Sequence, residues 1–197
     1  MTDTASHLAE VVAATAASYR AILAPDAATP HLGMPLLAQE PGATVLGIVT
    51  GMENRSLDPS RTPIPRGLGR EELLRENPHL AGLLVTELTV VAAGEKRDDI
   101  WRQGVPRQPL PIHTLIYPCS TNDMLAFLGG AIPRFHYLRL LLNPNDVEGD
   151  GALQAHLGWL AGLPGGDGIV RPALAELGRL LVKDYARLRH IVAGVQA

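Results

Sequence analysis

The chain has 197 residues, of which 46% are hydrophobic and 19% charged, and its formal net charge is −3. This composition excludes wholesale disorder, and the weak negative charge argues against nonspecific binding of nucleic acid over the whole surface. The 20 glycines and 16 prolines predict many turns between short elements.

Cysteine usage and hydropathy suggest where the protein resides. The single cysteine, Cys119, excludes an internal disulfide framework and fits a reducing compartment. No apolar run reaches the roughly 18 residues of a transmembrane helix, and the N-terminus lacks the basic and apolar regions of a signal peptide. The sequence therefore predicts a cytoplasmic protein that does not enter a membrane.

Residues 1–42 are predicted to hold one N-terminal helix and a proline-rich connector. Apolar residues between Leu8 and Leu23 recur at helical spacing, and Pro25 would end the helix. Residues 24–42 contain four prolines, which favour an extended segment that lies against the fold.

Residues 43–119 are predicted to form a small antiparallel β-barrel of about five to seven short strands. The strand patterns, rich in β-branched residues, cover residues 45–52, 83–93, 100–103 and 112–117. A short helix is predicted over residues 70–76, because the residue before Pro78 is steered away from helical geometry.

Residues 120–197 change to a helical period. Ser120 and Asp123 form a capping box that opens a helix through Leu128. Further helices are predicted over residues 135–142, 152–163 and 172–195. The sequence thus predicts an α+β fold: a barrel preceded by one helix and followed by a helical C-terminal segment.

Two groups of basic residues are candidates for contact with DNA or with a partner protein. The last predicted helix carries Arg179, Lys183, Arg187 and His190, and the segment after the first barrel strand carries Arg55, Arg61, Arg66 and Arg70. One interpretation is a solvated face with ion pairs between helical turns. The other is a surface that binds DNA phosphate or an acidic partner, which would make the chain a nucleic-acid-binding protein.

No catalytic residue, cofactor or metal site is predicted. The chain lacks a glycine-rich phosphate loop with its lysine, and its seven histidines are scattered. Residues 146–151 match the first half of a calcium loop, but Leu157 stands where a carboxylate should close the shell. An enzyme with an unrecognised metal-dependent site at Asp146, Glu148 and Asp150 remains an alternative.

Three short strings occur in an order that resembles a known family. They are Leu-Gly-Ile-Val-Thr-Gly at residues 46–51, Glu-Asn-Pro-His-Leu at residues 76–80 running into residues 83–94, and the proline-rich residues 104–118. This order is similar to the HAS barrel, found at the N-terminus of HerA-type DNA-translocating ATPases and of ATP synthase subunits. The helical tail also resembles the segment after the barrel in some bacterial HerA-like proteins.

The resemblance implies a role without hydrolysis. In that family the barrel serves assembly into hexameric rings and docks a nuclease of the NurA kind. The 197 residues contain no Walker motif, so no catalytic residue carries over. The expectation is a stand-alone assembly or adaptor module in DNA repair or defence, whose partners are copies of itself, a HerA-type ATPase or a NurA-type nuclease.

Overall fold

The computed structural model describes residues 7–58, 64–80, 82–130, 132–142 and 147–195. The strands are β1 (Ala9–Ala14), β2 (Ser18–Leu23), β3 (Pro35–Glu40), β4 (Ala43–Ser56), β5 (Leu84–Arg97), β6 (Ile100–Gln103) and β7 (Leu115–Pro118). The helices are α1 (Arg70–Glu76), α2 (Thr121–Leu128), α3 (Leu138–Leu141), α4 (Val147–Ala161), α5 (Gly166–Leu180) and α6 (Tyr185–Val195). A single 3₁₀ turn covers Pro78–Leu80.

Six strands close into an antiparallel barrel in the order β2-β1-β7-β3-β4-β5, and pairing of β2 with β5 completes the ring. The long strand β5 pairs with β2 over residues 87–91 and with β6 over residues 94–97. Strand β6 is therefore an extension beside the barrel rather than part of the ring. The predicted α+β class, with a small barrel and C-terminal helices, is confirmed.

The barrel interior is filled by alternate residues of each strand, as the period of two requires. Small side chains such as Ala9, Ala21 and Ala38 alternate with Leu36, Val49, Leu88 and Ile116. Tyr19 occupies the interior beside Gly47, where an added Cβ would lie 2.6 Å from the tyrosine hydroxyl. Gly47 is thus needed for close approach.

A second core lies between the barrel and the helices. It joins outward residues of the barrel, including Leu37, Leu46 and Ile48, to apolar residues of all the helices from α2 to α6. Helix α4 packs on β4, α3 on β5 and α2 on β6. We call this helix-covered outer face of β3, β4 and the second half of β5 the covered wall.

The predicted N-terminal helix is wrong. Residues 9–23 form the antiparallel hairpin of β1 and β2, which join the barrel through β7 and β5. The buried interior residues are spaced by two within each strand, Ala9 and Val11 on β1 and Tyr19 and Ala21 on β2, on either side of a short turn. Thr15 and Ser18 close that turn by hydrogen bonds between their backbones and hydroxyls.

The predicted connector also contributes to the barrel, because Pro35–Glu40 is strand β3. Its proline stands first in the strand, where the absence of an amide hydrogen is tolerated. The ring is therefore built from three strands of residues 1–42 as well as from the predicted segment 43–119.

The long last helix predicted over residues 172–195 is two helices. Helix α5 ends at Leu180 and α6 begins at Tyr185, and Pro172 lies inside α5 rather than at a helix start. Asp184 caps α6, since its carboxylate accepts a hydrogen bond from the Arg187 backbone amide at 3.1 Å. The helix start predicted at Ser120 is confirmed, because the Ser120 hydroxyl accepts from the Asp123 amide.

Candidate interaction surfaces

The outer face of β1, β2 and β7 lies away from the principal helix contacts, and we call it the open wall. Across it Glu10 is in register with Ile22 on one side and with Leu115 on the other. Leu115 is 37% exposed, whereas Ile48 on the covered wall is fully buried. The open wall therefore presents apolar side chains to solvent.

A shallow depression of about 260 Å³ lies on the open wall. Val12, Ile22, Leu23 and Pro25 supply its apolar lining, and Glu10 stands at its side. Glu10 is paired with the ring of His113. His113 is held there by a left-handed backbone conformation with φ of 74°, which belongs to a turn and not to the predicted strand.

An ion-pair cluster lies on the outer surface where β2, β4 and β5 meet. The Glu87 carboxylate accepts from Arg20 Nη1 at 3.0 Å and from Arg55 Nε at 2.8 Å. Burial of Glu87 opposes its ionisation, but the hydrogen bonds and charges of the two arginines outweigh burial and hold the pKa of Glu87 below its usual value. Arg55, a predicted contact residue, is thus engaged within the fold.

The proline-rich segment after β6 closes one end of the barrel. Leu110 packs against the interior core, and Glu95 at this end is buried. Glu95 pairs with Arg97 Nε at 3.1 Å and with Arg107 Nε at 3.2 Å. A cavity of about 210 Å³ remains between this segment and the barrel. Because both arginines already neutralise Glu95, the arrangement fastens the segment to the barrel end.

A buried hydrogen-bond relay joins the barrel to the helices. His156 of α4 donates from Nδ1 to the Gly33 carbonyl at 2.8 Å and accepts at Nε2 from the Tyr137 hydroxyl at 2.7 Å. Burial disfavours the imidazolium and lowers the pKa of His156 to about 4. Both ring nitrogens of the neutral His156 have hydrogen-bond partners, so these bonds hold the barrel and the helices together.

The structure separates the basic residues predicted on the last helix. Arg187 points into the contact between α4 and α6, where its Nη2 lies 2.6 Å from Asp150 Oδ1. Arg179, on α5, lies 3.4 Å from Glu176. Lys183 belongs to the connection between the helices, and His190 is exposed on α6. These residues do not form the single row that one continuous helix would produce.

Of the remaining predicted contact residues, Arg66 is exposed in the segment before α1, and Arg70 is the first residue of that helix. Arg61 lies outside the described residues. Contact of any of these residues with DNA or a partner remains a prediction.

The residues considered for chemistry do not converge. Within the described ranges no group of three His, Cys, Asp or Glu side chains could hold a metal ion. Asp146 falls outside those ranges, and Asp150 is paired with Arg187. Cys119 is buried, and burial together with the nearby Asp123 raises the pKa of its thiol to about 12. The thiol is therefore protonated at neutral pH.

Sequence reasoning missed two features of the surface, the open wall and a groove beside β6. Both depend on which strands become neighbours. The only local signal was the Asp98-Asp99 pair, which is typical of a tight turn before the edge strand β6. No family model matches the chain, and no curated protein matches it either. In the parts of the chain that the structure describes, no helix has the length and hydropathy needed to cross a bilayer.

Proposed function

We propose that the chain is a non-catalytic assembly or adaptor module, similar in role to a HAS barrel. Its open wall would dock a DNA-processing translocase or nuclease, or another copy of the chain. The observation that carries the proposal is the open wall itself, where the exposed Leu115 and the half-buried Ile22 lie on either side of Glu10, on a barrel that the helices brace from the opposite side. Such a rigid wall loses little conformational freedom on binding.

The surroundings of Ile22 and Leu115 support this proposal. Glu10, which pairs with His113, lies between them, and the cluster of Arg20 and Glu87 borders the open wall on β2 and β5. Non-obligate protein interfaces are about as polar as the rest of a protein surface, so a charged residue between two apolar ones is compatible with docking. The cytoplasmic location and the DNA-repair or defence setting belong to the same proposal.

The test is a mass measurement in solution, followed by affinity capture from native lysate with mass-spectrometric identification of what is captured. We expect either a defined oligomer or capture of a translocase or nuclease. Leu115→Arg should abolish that assembly. Val182→Arg is the matched control, because Val182 is 75% exposed and lies far along the chain in the connection between α5 and α6.

Circular dichroism must first show that both variants are folded, so that a loss of assembly can be assigned to the substituted surface. A wild-type monomer that captures neither class of protein would refute the proposal. Equal loss of assembly in both variants would show that the open wall is not the contact surface.

A further inference from the structure

Strand β6 offers an unpaired edge. It pairs with β5 through the register Arg97 to Ile100 and Glu95 to Arg102, and no other described strand pairs with it. A two-residue turn at Asp98 and Asp99, both with positive φ, connects the two strands. In such hairpins the residues flanking the turn form a hydrogen-bonded pair, and every second pair along the ladder does the same.

This alternation identifies the backbone groups of β6 that point away from β5. Arg102 directs its backbone hydrogen bonds to β5, so Trp101 and Gln103 direct theirs away from it. The amide of Gly104 donates to the Ala93 carbonyl at 2.9 Å, which fits the same phase. The edge therefore presents the amide hydrogens and carbonyls of Trp101 and Gln103 to an added strand.

A groove of about 490 Å³ runs beside this edge, between β6, the second half of α2 and the residues after that helix. Trp101 lies edge-on against Phe127, with ring centroids 5.3 Å apart. The side-chain amide of Gln103 donates from Nε2 to the carbonyls of Phe127 at 3.2 Å and of Arg134 at 2.7 Å. These contacts hold the edge strand and the groove wall in place.

Basic side chains outnumber acidic ones along the groove. Arg102, Arg134 and His136 line it together with Asp99, and neither arginine has a carboxylate partner among the described residues. Asp99 is almost fully exposed and lies 3.7 Å from Lys96, and Glu176 lies near both His136 and Arg179.

We propose that β6 and this groove bind an extended acidic segment of a partner protein, which adds to the sheet as a strand. Its backbone would pair with Trp101 and Gln103, and carboxylates on its two faces would meet Arg102 on one face of the sheet and Arg134 on the other. Main-chain pairing supplies affinity in this mode of recognition, and side-chain contacts supply specificity. A second copy of the chain fits poorly, because edge-to-edge pairing of β6 would bring the arginines of the two copies together.

The probe is the hexapeptide Glu-Glu-Val-Val-Glu-Glu with blocked ends, which carries glutamates on both faces of an extended strand, added to the ¹⁵N-labelled full chain. We expect saturable shifts of the Trp101 and Gln103 amide signals. Arg102→Gln and Arg134→Gln should each weaken binding about three- to tenfold. Arg139→Gln is the matched control, because Arg139 is exposed on α3 and does not line the groove.

Backbone methylation of the peptide tests strand addition directly. Alternate amides of an added strand face the protein, so two methylated peptides are compared, one methylated at its odd-numbered residues and one at its even-numbered residues. One of the two should lose binding, and the other should bind as the unmodified peptide does. Absence of saturable shifts, or equal effects of the two methylated peptides, would overturn the proposal. Equal binding of a single-stranded oligonucleotide of the same charge would also overturn it, in favour of a general anion site. The groove is distinct from the open wall, so Leu115→Arg should leave peptide binding unchanged.

Discussion

The covered wall and the open wall belong to one barrel, yet their outward residues have different environments. On the covered wall Leu46 and Ile48 are fully buried beneath helices. On the open wall Leu115 is 37% exposed, and its neighbours include charged Glu10. The difference comes from the helical segment after β7, because a strand's outward face becomes core only where another layer packs on it.

Buried ionisable groups on the two sides of the barrel also differ in their charge. The covered wall is joined to its helices by His156, which is buried and neutral with its pKa lowered. The open side of the barrel bears Glu87, which two arginines keep charged although its side chain is only 6% exposed. The first arrangement depends on exclusion of water, and the second on paired charges. Four substitutions separate these contributions.

The largest effect is expected from truncation on the covered wall. Leu46→Ala should lower the free energy of unfolding by about 3 to 5 kcal/mol, because it leaves a cavity in a closed core. Leu115→Ala on the open wall should lower it by less than about 1 kcal/mol. Urea denaturation with a constant m-value measures both. Similar losses at the two sites would contradict the distinction between the walls.

A second substitution tests the junction between the layers. Gly33 has φ of 75°, and an added Cβ would lie 2.3 Å from the His156 backbone nitrogen. Gly33→Ala should destabilise the protein by about 2 to 4 kcal/mol, through steric overlap with helix α4 as well as backbone strain. Gly42→Ala is the matched control, because Gly42 has nearly the same φ of 76° and open space around its Cα.

The control isolates the packing component. Gly42→Ala should cost about 1 kcal/mol from backbone strain alone. The losses in free energy of unfolding of the two variants, measured by thermal and urea unfolding, should therefore differ by the cost of the steric overlap at Gly33. Equal destabilisation would mean that the barrel and α4 are not tightly joined there.

The third prediction concerns acid sensitivity of the covered side. The pKa of His156 is about 4 in the folded chain and near 6.5 when unfolded. Between these values the unfolded chain binds more protons, so stability falls as pH falls through this window. The contribution lost between pH 7 and pH 5 is about 2 kcal/mol.

Urea titrations at pH 7, 6 and 5 measure that slope. His156→Gln should flatten it, and His136→Gln is the comparison in which an exposed histidine is removed instead. If His156→Gln does not fold, Tyr137→Phe provides the second test. It should lower stability at pH 7 by removing the hydroxyl that the His156 ring accepts from. An unchanged slope in a folded His156→Gln variant would show that His156 titrates normally.

The sequence predicted those elements whose signals are local. The helix start at Ser120 and the strand Ile100–Gln103 were predicted correctly, because a hydroxyl cap and a short strand pattern are encoded within a few residues. The hairpin of β1 and β2 was predicted as a helix. Its alanines favour helix locally, and pairing with β5 and β7, more than 60 residues away, overrides that preference.

The interaction surfaces could be predicted only in part. The basic residues were visible in the sequence, but their partners were not. Asp150 precedes Arg187 by 37 residues, and Glu87 follows Arg55 by 32. Only the fold shows that these arginines are engaged and that Arg102 and Arg134 face a groove. The open wall likewise depends on strand order, which no local pattern encodes.

The smallest effect is expected at Glu87. Glu87→Gln should lower the free energy of unfolding by about 1 kcal/mol at neutral pH, since Arg20 is 56% exposed and solvent screens its charge. Because the pKa of Glu87 is lowered in the folded chain, its contribution is present above its usual value near 4.5 and is lost as pH falls below it. The variant and the wild type should therefore converge at acidic pH.

Glu53→Gln is the control for this last comparison. Glu53 stands opposite Glu87 in the register of β4 and β5, so removing its charge relieves repulsion and should leave stability unchanged or slightly higher. Urea unfolding at low and high salt measures both variants, and only the loss in Glu87→Gln should shrink as salt increases. A loss in Glu87→Gln that persists unchanged in high salt and at acidic pH would mean that Glu87 acts by packing.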